Sequence, residues 1–564
     1  MKAILVLLFL FSSLAYANLT PLYFKGNNSI NQYELYTAIG LDKPFFYQPW
    51  KDDPSIEMKS VSILTQTIKN FYKSKGFFNA QVSSEEKNNA IFIVIEEKEP
   101  IIIASIEISS KLDIKTQVPF KVGDIFDAEQ LTQSKKDIKI LYSDNSYCNA
   151  DLNSKAWIDI EKDKAYITYE AIPNTICYVK SINITSPKDI DEKIIKSLLL
   201  FKEKDKFSTG KISDTYKNIY GYEGISKVII NTNIDNNNSV NISVDVSQNE
   251  KPIRFEGGLG ISSNEGLMGS LGVKHRNFFG NLKTISLETR LTQIKQTVKT
   301  NFDMPLAHRN STGAEFGFEN EEFTGYKESR VFASMYLKQR KLPHTLQESI
   351  IFDNSLTYDS NDQVLFPEGS LFITSPKLQW DYDTRDKILD PRKGYFLHSE
   401  VMGSIQSDIS NASYYKAKLS GGYIFPLTYS QVALRASFGS LKLYDGEIPA
   451  SYRFYAGGMN SNRAYNYNKL GPTNSKGDPL GFDSIFETTI EYRFPIYGPF
   501  KGVFFNDNTF VGRDDLLSKS EKYYSAGIGF RYKTPVGPLA IDFGFDIENP
   551  RDNFAFHFRV GELF

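Results

Sequence analysis

From residue 253 to the C-terminus the side chains alternate with a period of two, and this restricts the chain more than any other feature. Tyr524, Ala526, Ile528, Phe530 and Tyr532 share one parity, against Ser525, Gly527, Gly529 and Arg531. Leu539, Ile541, Phe543 and Phe545 alternate with Ala540, Asp542, Gly544 and Asp546. Phe554, Phe556, Phe558 and Val560 alternate with Ala555, His557, Arg559 and Gly561. Successive residues of a strand point to opposite faces, so one face is apolar and aromatic while the other carries charges and glycines. A soluble sandwich also alternates, but it turns its charged face outward. Many strands of ~10 residues, tight turns such as residues 534–537 and a terminal Phe fit a membrane barrel instead. At roughly 19–20 residues per strand and connection, residues 253–564 hold about sixteen antiparallel strands.

The N-terminus carries Lys2, a mostly apolar run over residues 3–14 and then Ala15-Tyr16-Ala17. This is the layout of a cleaved signal peptide over residues 1–17, and the run is short of the ~20 residues a spanning helix needs. Export without a second long apolar run leaves a soluble protein or a barrel. The 65 basic and 67 acidic residues, net −2, give no footprint for nucleic acid. Aromatics are 14% of the chain, almost all Phe or Tyr, which suits strands and interfacial girdles.

Between these parts, one pattern recurs at roughly 75 to 80 residues, a strand, two amphipathic helices and two strands. The modules span residues 18–99, 100–174 and 175–252, in β-α-α-β-β order. In the first, Val61, Ile63, Leu64, Ile68, Phe71 and Tyr72 have helical spacing, and strands follow over residues 77–82 and 91–95. In the second the closing strands fall at 147–152 and 165–169. The join of second helix to next strand repeats most clearly, as Tyr72-x-x-x-Gly76-Phe77-Phe78-Asn79-Ala80 and Tyr142-x-x-x-Ser146-Tyr147-Cys148-Asn149-Ala150. Gly ends a helix by taking positive φ, and the following aromatic packs back on the helices; Ser146 has lost that Gly. Cys148 and Cys177 are the two cysteines. A bridge would pin the link between modules two and three, the other reading being two buried thiols.

No metalloprotease, phosphate-loop or nucleophile-elbow motif occurs, and the five histidines are scattered. The Glu319-Asn320-Glu321-Glu322 cluster lacks ordered ligand spacing. The expectation is no enzyme, no cofactor, and no catalytic or metal residues.

The modules resemble POTRA domains, which Lys121-Val122-Gly123-Asp124-Ile125-Phe126 supports. Residues 524–538 of the barrel, Asp383-Thr384-Arg385-Asp386 with Pro391-Arg392-Lys393-Gly394, and Glu491-Tyr492-Arg493-Phe494-Pro495 resemble the outer-membrane assembly superfamily of BamA and TamA. The loop from Phe454 to Tyr465 is similar to that family's inward-folding loop: Arg463 and Tyr465 match, while Asn462 and Ala464 depart. Phe505-Asn506-Asp507 is similar to the facing strand's motif, with Thr509 in place of a Gly. Independently of the family, a loop folded into a barrel needs an anchor, and an Arg on inward carboxylates is strong and directional. Parity offers Asp507 and Glu491. Gly257, Gly258 and Gly260 on the first strand and Gly561 near the end make a lateral seam poor in pairing, unless they serve curvature alone.

The resemblance implies an outer-membrane factor with periplasmic modules that inserts autotransporters or other barrel clients through the seam, with Phe564 as its own insertion signal. Three modules place it nearest TamA, with a TamB-like inner-membrane-anchored partner, unfolded outer-membrane clients and the lipid bilayer as its contacts. The alternatives are a BamA-type general factor or a two-partner secretion transporter for one exoprotein.

Overall fold

The computed structural model describes residues 19–41, 43–44, 52–235, 237–341, 343–387, 391–427, 430–497, 500–534 and 537–560. The signal peptide, Gly561 and Phe564 lie outside the described residues. The chain divides into two compact units. One takes residues up to 182 with 201–214 and 232–242; the other takes 183–200, 215–231 and 243 onward.

In the first unit, module one comprises β1 (Leu19–Lys25), α1 (Gln32–Ala38), a short β2 (Ser55–Glu57), α2 (Val61–Ser74), β3 (Gln81–Lys87) and β4 (Ala90–Glu96). The sheet order is β2-β1-β4-β3, with β1 parallel to β4. Ile68 and Tyr72, one helical turn apart on α2, are fully buried on Leu22, Ile91 and Ile93 of the sheet. Module two comprises β5 (Ile102–Ser110), α3 (Ala128–Asp144), β6 (Asp151–Asp159) and β7 (Lys164–Ile172), in the order β5-β7-β6. Its first helix is only a 3-10 turn at Lys115–Gln117, after which Val118 is extended. Pro119 accounts for this, since proline disfavours the helical region for the residue before it and offers no N–H.

The β-α-α-β-β plan thus gains β2 in module one and shortens a helix in module two. The strands expected at 77–82 and 147–152 begin later, at Gln81 and Asp151. Residues 77–80 and 147–150 instead form turns: the Phe77 and Tyr147 amides donate to the Tyr72 and Tyr142 carbonyls at 2.9 Å. Gly76 and Ser146 both take positive φ, +94° and +74°. The Ile101 amide donates to the Gly76 carbonyl and the Cys177 amide to the Ser146 carbonyl, each at 2.9 Å. At the first joint a Cβ on residue 76 would lie 2.4 Å from the Phe126 carbonyl oxygen, so glycine is required there. At the second, Cys148 and Cys177 are bridged, with Cα atoms 5.9 Å apart.

Module three, divided between the units, keeps the expected order: β8 (Tyr178–Thr185), α4 (Glu192–Leu198), α5 (Thr209–Tyr220), β9 (Ile225–Ile234) and β10 (Ser239–Gln248).

The second unit holds a closed sixteen-strand barrel in which each strand pairs antiparallel with the next. The strands are β11 (Ile253–Ser262), β12 (Gly266–His275), β13 (Thr284–Leu291), β14 (Lys295–Pro305), β15 (Ser311–Phe323), β16 (Tyr326–Lys341), β17 (His344–Tyr358) and β18 (Gly369–Asp383). They continue as β19 (Gly394–Ser404), β20 (Ala412–Pro426), β21 (Gln431–Gly446), β22 (Ser484–Tyr497), β23 (Phe500–Gly512), β24 (Ser520–Thr534), β25 (Gly537–Asp546) and β26 (Phe554–Val560). The two parities separate as a membrane demands. Ile528 and Phe530 are 41% and 44% exposed, whereas Asp542 and His557 are each 1% exposed. Charges line the inside and apolar side chains the outside, the reverse of a soluble sandwich. No described helix is long and apolar enough to cross a membrane.

Candidate functional site: a loop anchored in the lumen beside a short seam

The connection between β21 and β22 folds back into the barrel rather than away from it. Phe454 and Phe482 exchange backbone hydrogen bonds of 2.9 and 2.8 Å, and the Leu470 amide donates to the Ala456 carbonyl at 3.0 Å. This narrow ribbon carries Asn462, Arg463 and Ala464 to its tip, all almost completely buried.

The structure brings Arg463, Asp507 and Glu491 together. Arg463 Nε and Nη2 donate to the two oxygens of Asp507 at 2.8 Å each, and Nη1 donates to Glu491 Oε1 at 2.7 Å. The Arg463 amide also donates to Asp507 Oδ2 at 3.2 Å. Beneath, the guanidinium lies 3.5 Å from the centre of the Phe505 ring. A planar fork held on two edges and one face is fixed in orientation as well as position. Tyr465, two residues on, donates its hydroxyl to Asp546.

Several residues of this site were not singled out from the sequence. Asp542 Oδ2 lies 3.7 Å from Arg463 Nη1 and is paired with Arg531 at 2.7 Å. Arg493 takes the second oxygen of Glu491. His557 on β26 donates from Nε2 to the Arg463 carbonyl at 3.2 Å, and its Nδ1 faces the Ser263 hydroxyl at 3.2 Å. The carbonyl can only accept, which assigns the proton to Nε2. At Gly544 an added Cβ would lie 2.2 Å from the Arg463 carbonyl oxygen, so glycine here makes room for the tip. The inward parity of Asp542, Asp546 and His557 was the available signal.

Two of the three departures from the family motif, Asn462 and Thr509, meet. Asn462 Nδ2 donates to Thr509 Oγ1 at 3.4 Å, and Asn462 Oδ1 accepts from the Ser525 hydroxyl at 2.8 Å.

The tip also touches both strands of the seam. Arg559 of β26 donates to Asn460 Oδ1 at 3.3 Å, and the Met459 amide donates to Asn264, just past β11, at 3.4 Å. Among the described residues β11 and β26 pair at Ile261 with Val560 and at Ser262 with Arg559. The Ser263 amide adds one bond to the Phe558 carbonyl at 2.9 Å. Gly257, Gly258 and Gly260 sit on β11, paired with β12 at Leu271, Ser270 and Met268. Their other edge has no strand among the described residues. At its entry end, β11 is tied to the turn after α5: Glu223 accepts from Arg254 at 3.3 Å and from Lys274 at 3.0 Å. Burial raises the Glu223 carboxyl, but the Lys274 bond and the nearby cations outweigh it and hold it below the usual range.

An Omp85 superfamily domain matches residues 236–564, and the POTRA repeat model, described as a surface antigen variable number repeat, matches residues 100–171 and 177–249. Outer membrane protein assembly factor BamA of Neisseria meningitidis is 19% identical, covering 97% of this chain and 78% of that protein. The crystal structure of Haemophilus ducreyi BamA lacking POTRA domains 1–3 superposes with a TM-score of 0.60 at 17% identity, over 82% of this chain and all of that one. CdiB of Escherichia coli superposes with a TM-score of 0.50 at 11% identity, over 89% and 96%. With more than half its length matched by that domain model and two matched POTRA repeats ahead of the barrel, this chain belongs to the Omp85 superfamily.

Proposed function

We propose that this protein is an assembly and translocation factor of the outer membrane that admits unfolded barrel clients at the seam between β11 and β26. One observation carries the reading: where the barrel closes, the ladder among the described residues comes down to Ile261–Val560 and Ser262–Arg559, and no described strand pairs with the outer edge of residues 253–260. An unpaired edge is a template for an added strand, and strand pairing with lipid burial provides the driving force, so no catalytic group or cofactor is needed. The Arg463 cage holds a plug that touches both seam strands without closing the ladder itself.

Within the family, the three modules support a TamA-like role, serving autotransporters or similar clients with a TamB-like partner at the modules. The named relatives support a BamA-type general role as the second reading. Cross-linking Ile261→Cys to Val560→Cys tests the shared core. Client insertion in proteoliposomes is expected to fall in proportion to the cross-linked fraction and to return on reduction; undiminished insertion with the seam locked would end the proposal. Co-purification from detergent extract separates the two roles: a large TamB-like chain supports the first, and a set of lipoproteins supports the second.

A further inference from the structure

The outer wall carries a groove of about 860 Å³ on strands far around the barrel from the seam. The register explains it. On the lipid-facing parity Gly421 pairs with Ala436, and Ala436 pairs with Thr488, so three short side chains stand in a row across β20, β21 and β22. The next row toward the entry rim holds Tyr423, Leu434 and Ile490, each more than 40% exposed. The short row between larger neighbours is a trough.

At the rim where the chain enters the barrel, the groove is bordered by aromatic rings. His344 stacks on Trp380 at 5.9 Å and Tyr382 on Tyr395 at 5.3 Å. The Tyr382 and Tyr395 hydroxyls lie 3.1 Å apart, and such polar edges sit at the headgroup level of a bilayer. The adjoining turns have a surplus of positive charge. Lys341, opposite His344 in the ladder, points outward, and Lys387, Arg392 and Lys393 are exposed in the β18–β19 turn. Among the described residues of that turn, Asp383 holds Arg385, at 2.6 Å on its closest arm, and Asp386 accepts the Arg392 and Lys393 amides at 2.9 and 3.3 Å.

We propose that this groove retains one anionic phospholipid of the periplasmic leaflet. One acyl chain lies over Gly421 and Ala436, and the phosphate meets the Lys341 and Lys393 cations and the paired tyrosine hydroxyls. This goes beyond the client reading and does not depend on it. The bilayer covers this face in any case. What singles out an anionic lipid is a fitted trough ending at a cationic, hydroxyl-lined rim, since each basic residue near an anionic headgroup favours it by a few-fold.

The full-length protein, in bilayers of phosphatidylethanolamine and phosphatidylglycerol, would be released into native mass spectrometry and its retained lipids counted. One phosphatidylglycerol is expected to remain bound, preferred over phosphatidylethanolamine by roughly tenfold. Lys341→Gln with Lys393→Gln should remove that preference, and Ala436→Trp, which fills the trough, should remove the retained lipid. Heat-modifiable gel mobility confirms that each barrel is folded. Equal retention by the parent and both variants, or a zwitterionic lipid held as firmly, would overturn the assignment. Client insertion by the Ala436→Trp variant stays unchanged, which keeps this test separate from that of the seam.

Discussion

The wall of β15 to β21 and the wall where β26 meets β11 are written in the same alternating sequence, yet they differ in height and in closure. β16 and β21 have 16 residues each, whereas β11 and β12 have 10 and β13 has 8. At about 3.4 Å per residue and a tilt near 40°, the long strands rise about 40 Å and the short ones about 20–25 Å, beside an apolar band of about 25 Å. β16 and β17 pair continuously from Lys327–Tyr358 to Lys341–His344, while the described seam has the pairs Ile261–Val560 and Ser262–Arg559. A bilayer matched to the far wall must thin at the seam, where an incoming strand meets a lower barrier and, among the described residues, a short ladder. The difference lies in where strength is placed: the far wall is held by its ladder, and the seam side by what the lumen loop grips.

The sharpest way to break this comparison is to lock each wall in turn. Ser334→Cys with Ile351→Cys, paired across β16 and β17, should leave client insertion in proteoliposomes unchanged, where the seam cross-link stops it. Equal effects would show that no wall is special.

Next in size is loss of the loop's anchor. Arg463→Leu strands Asp507 and Glu491 in a water-poor site and is expected to cost about 3–5 kcal/mol, read as a lower unfolding midpoint on heat-modifiable gels. Arg330→Leu on the far wall should cost less. Asp353 loses its 2.7 Å bond to Arg330 but keeps the Tyr452 hydroxyl at 2.7 Å and Ser355 at 3.2 Å. If the far-wall variant proves the weaker protein, the loop does not carry the seam side.

A smaller effect is expected at the tip. Asn462→Val and Thr509→Gly should each destabilise by about 1–2 kcal/mol through unpaired buried partners. Together they should lose less than their sum, with a coupling of roughly 1 kcal/mol in a double-mutant cycle. Strict additivity would mean that the 3.4 Å contact between them contributes nothing.

The smallest effect concerns the tether at the foot of β11. Glu223 is partly exposed, so Glu223→Gln should cost well under about 1 kcal/mol. Its folded-state carboxyl is depressed, so its contribution is present above the unfolded pKa of about 4.3 and is lost as pH falls through the lower folded value. The parent should therefore lose its small advantage over the variant only in acid, below about pH 4, in paired thermal melts.

Much of this was legible in the residues. Tyr524 to Tyr532 and Phe554 to Val560 announce their faces because a strand has a period of two whatever it pairs with. The repeated Tyr-x-x-x-Gly/Ser-aromatic joins mark the modules because the same helix end must turn at the same place. Pro119 shows why a local departure was harder to weigh: it alone reduced a helix to one turn. The cage was half visible. Arg463 and Asp507 are 44 residues apart and are brought together by folding the loop inward. His557 is 94 residues from the carbonyl it binds, and nothing local relates the two.

By itself the sequence determined which side chains meet hydrocarbon and which line the lumen, roughly how many strands there are, and that three modules precede them. These follow from periodicity, which is local. Only the tertiary structure decided that Asn462 answers Thr509, that Gly544 clears a path for the Arg463 carbonyl, and that the short strands meet at the seam. Those depend on register around a closed ring, where each strand's offset is set by all the others.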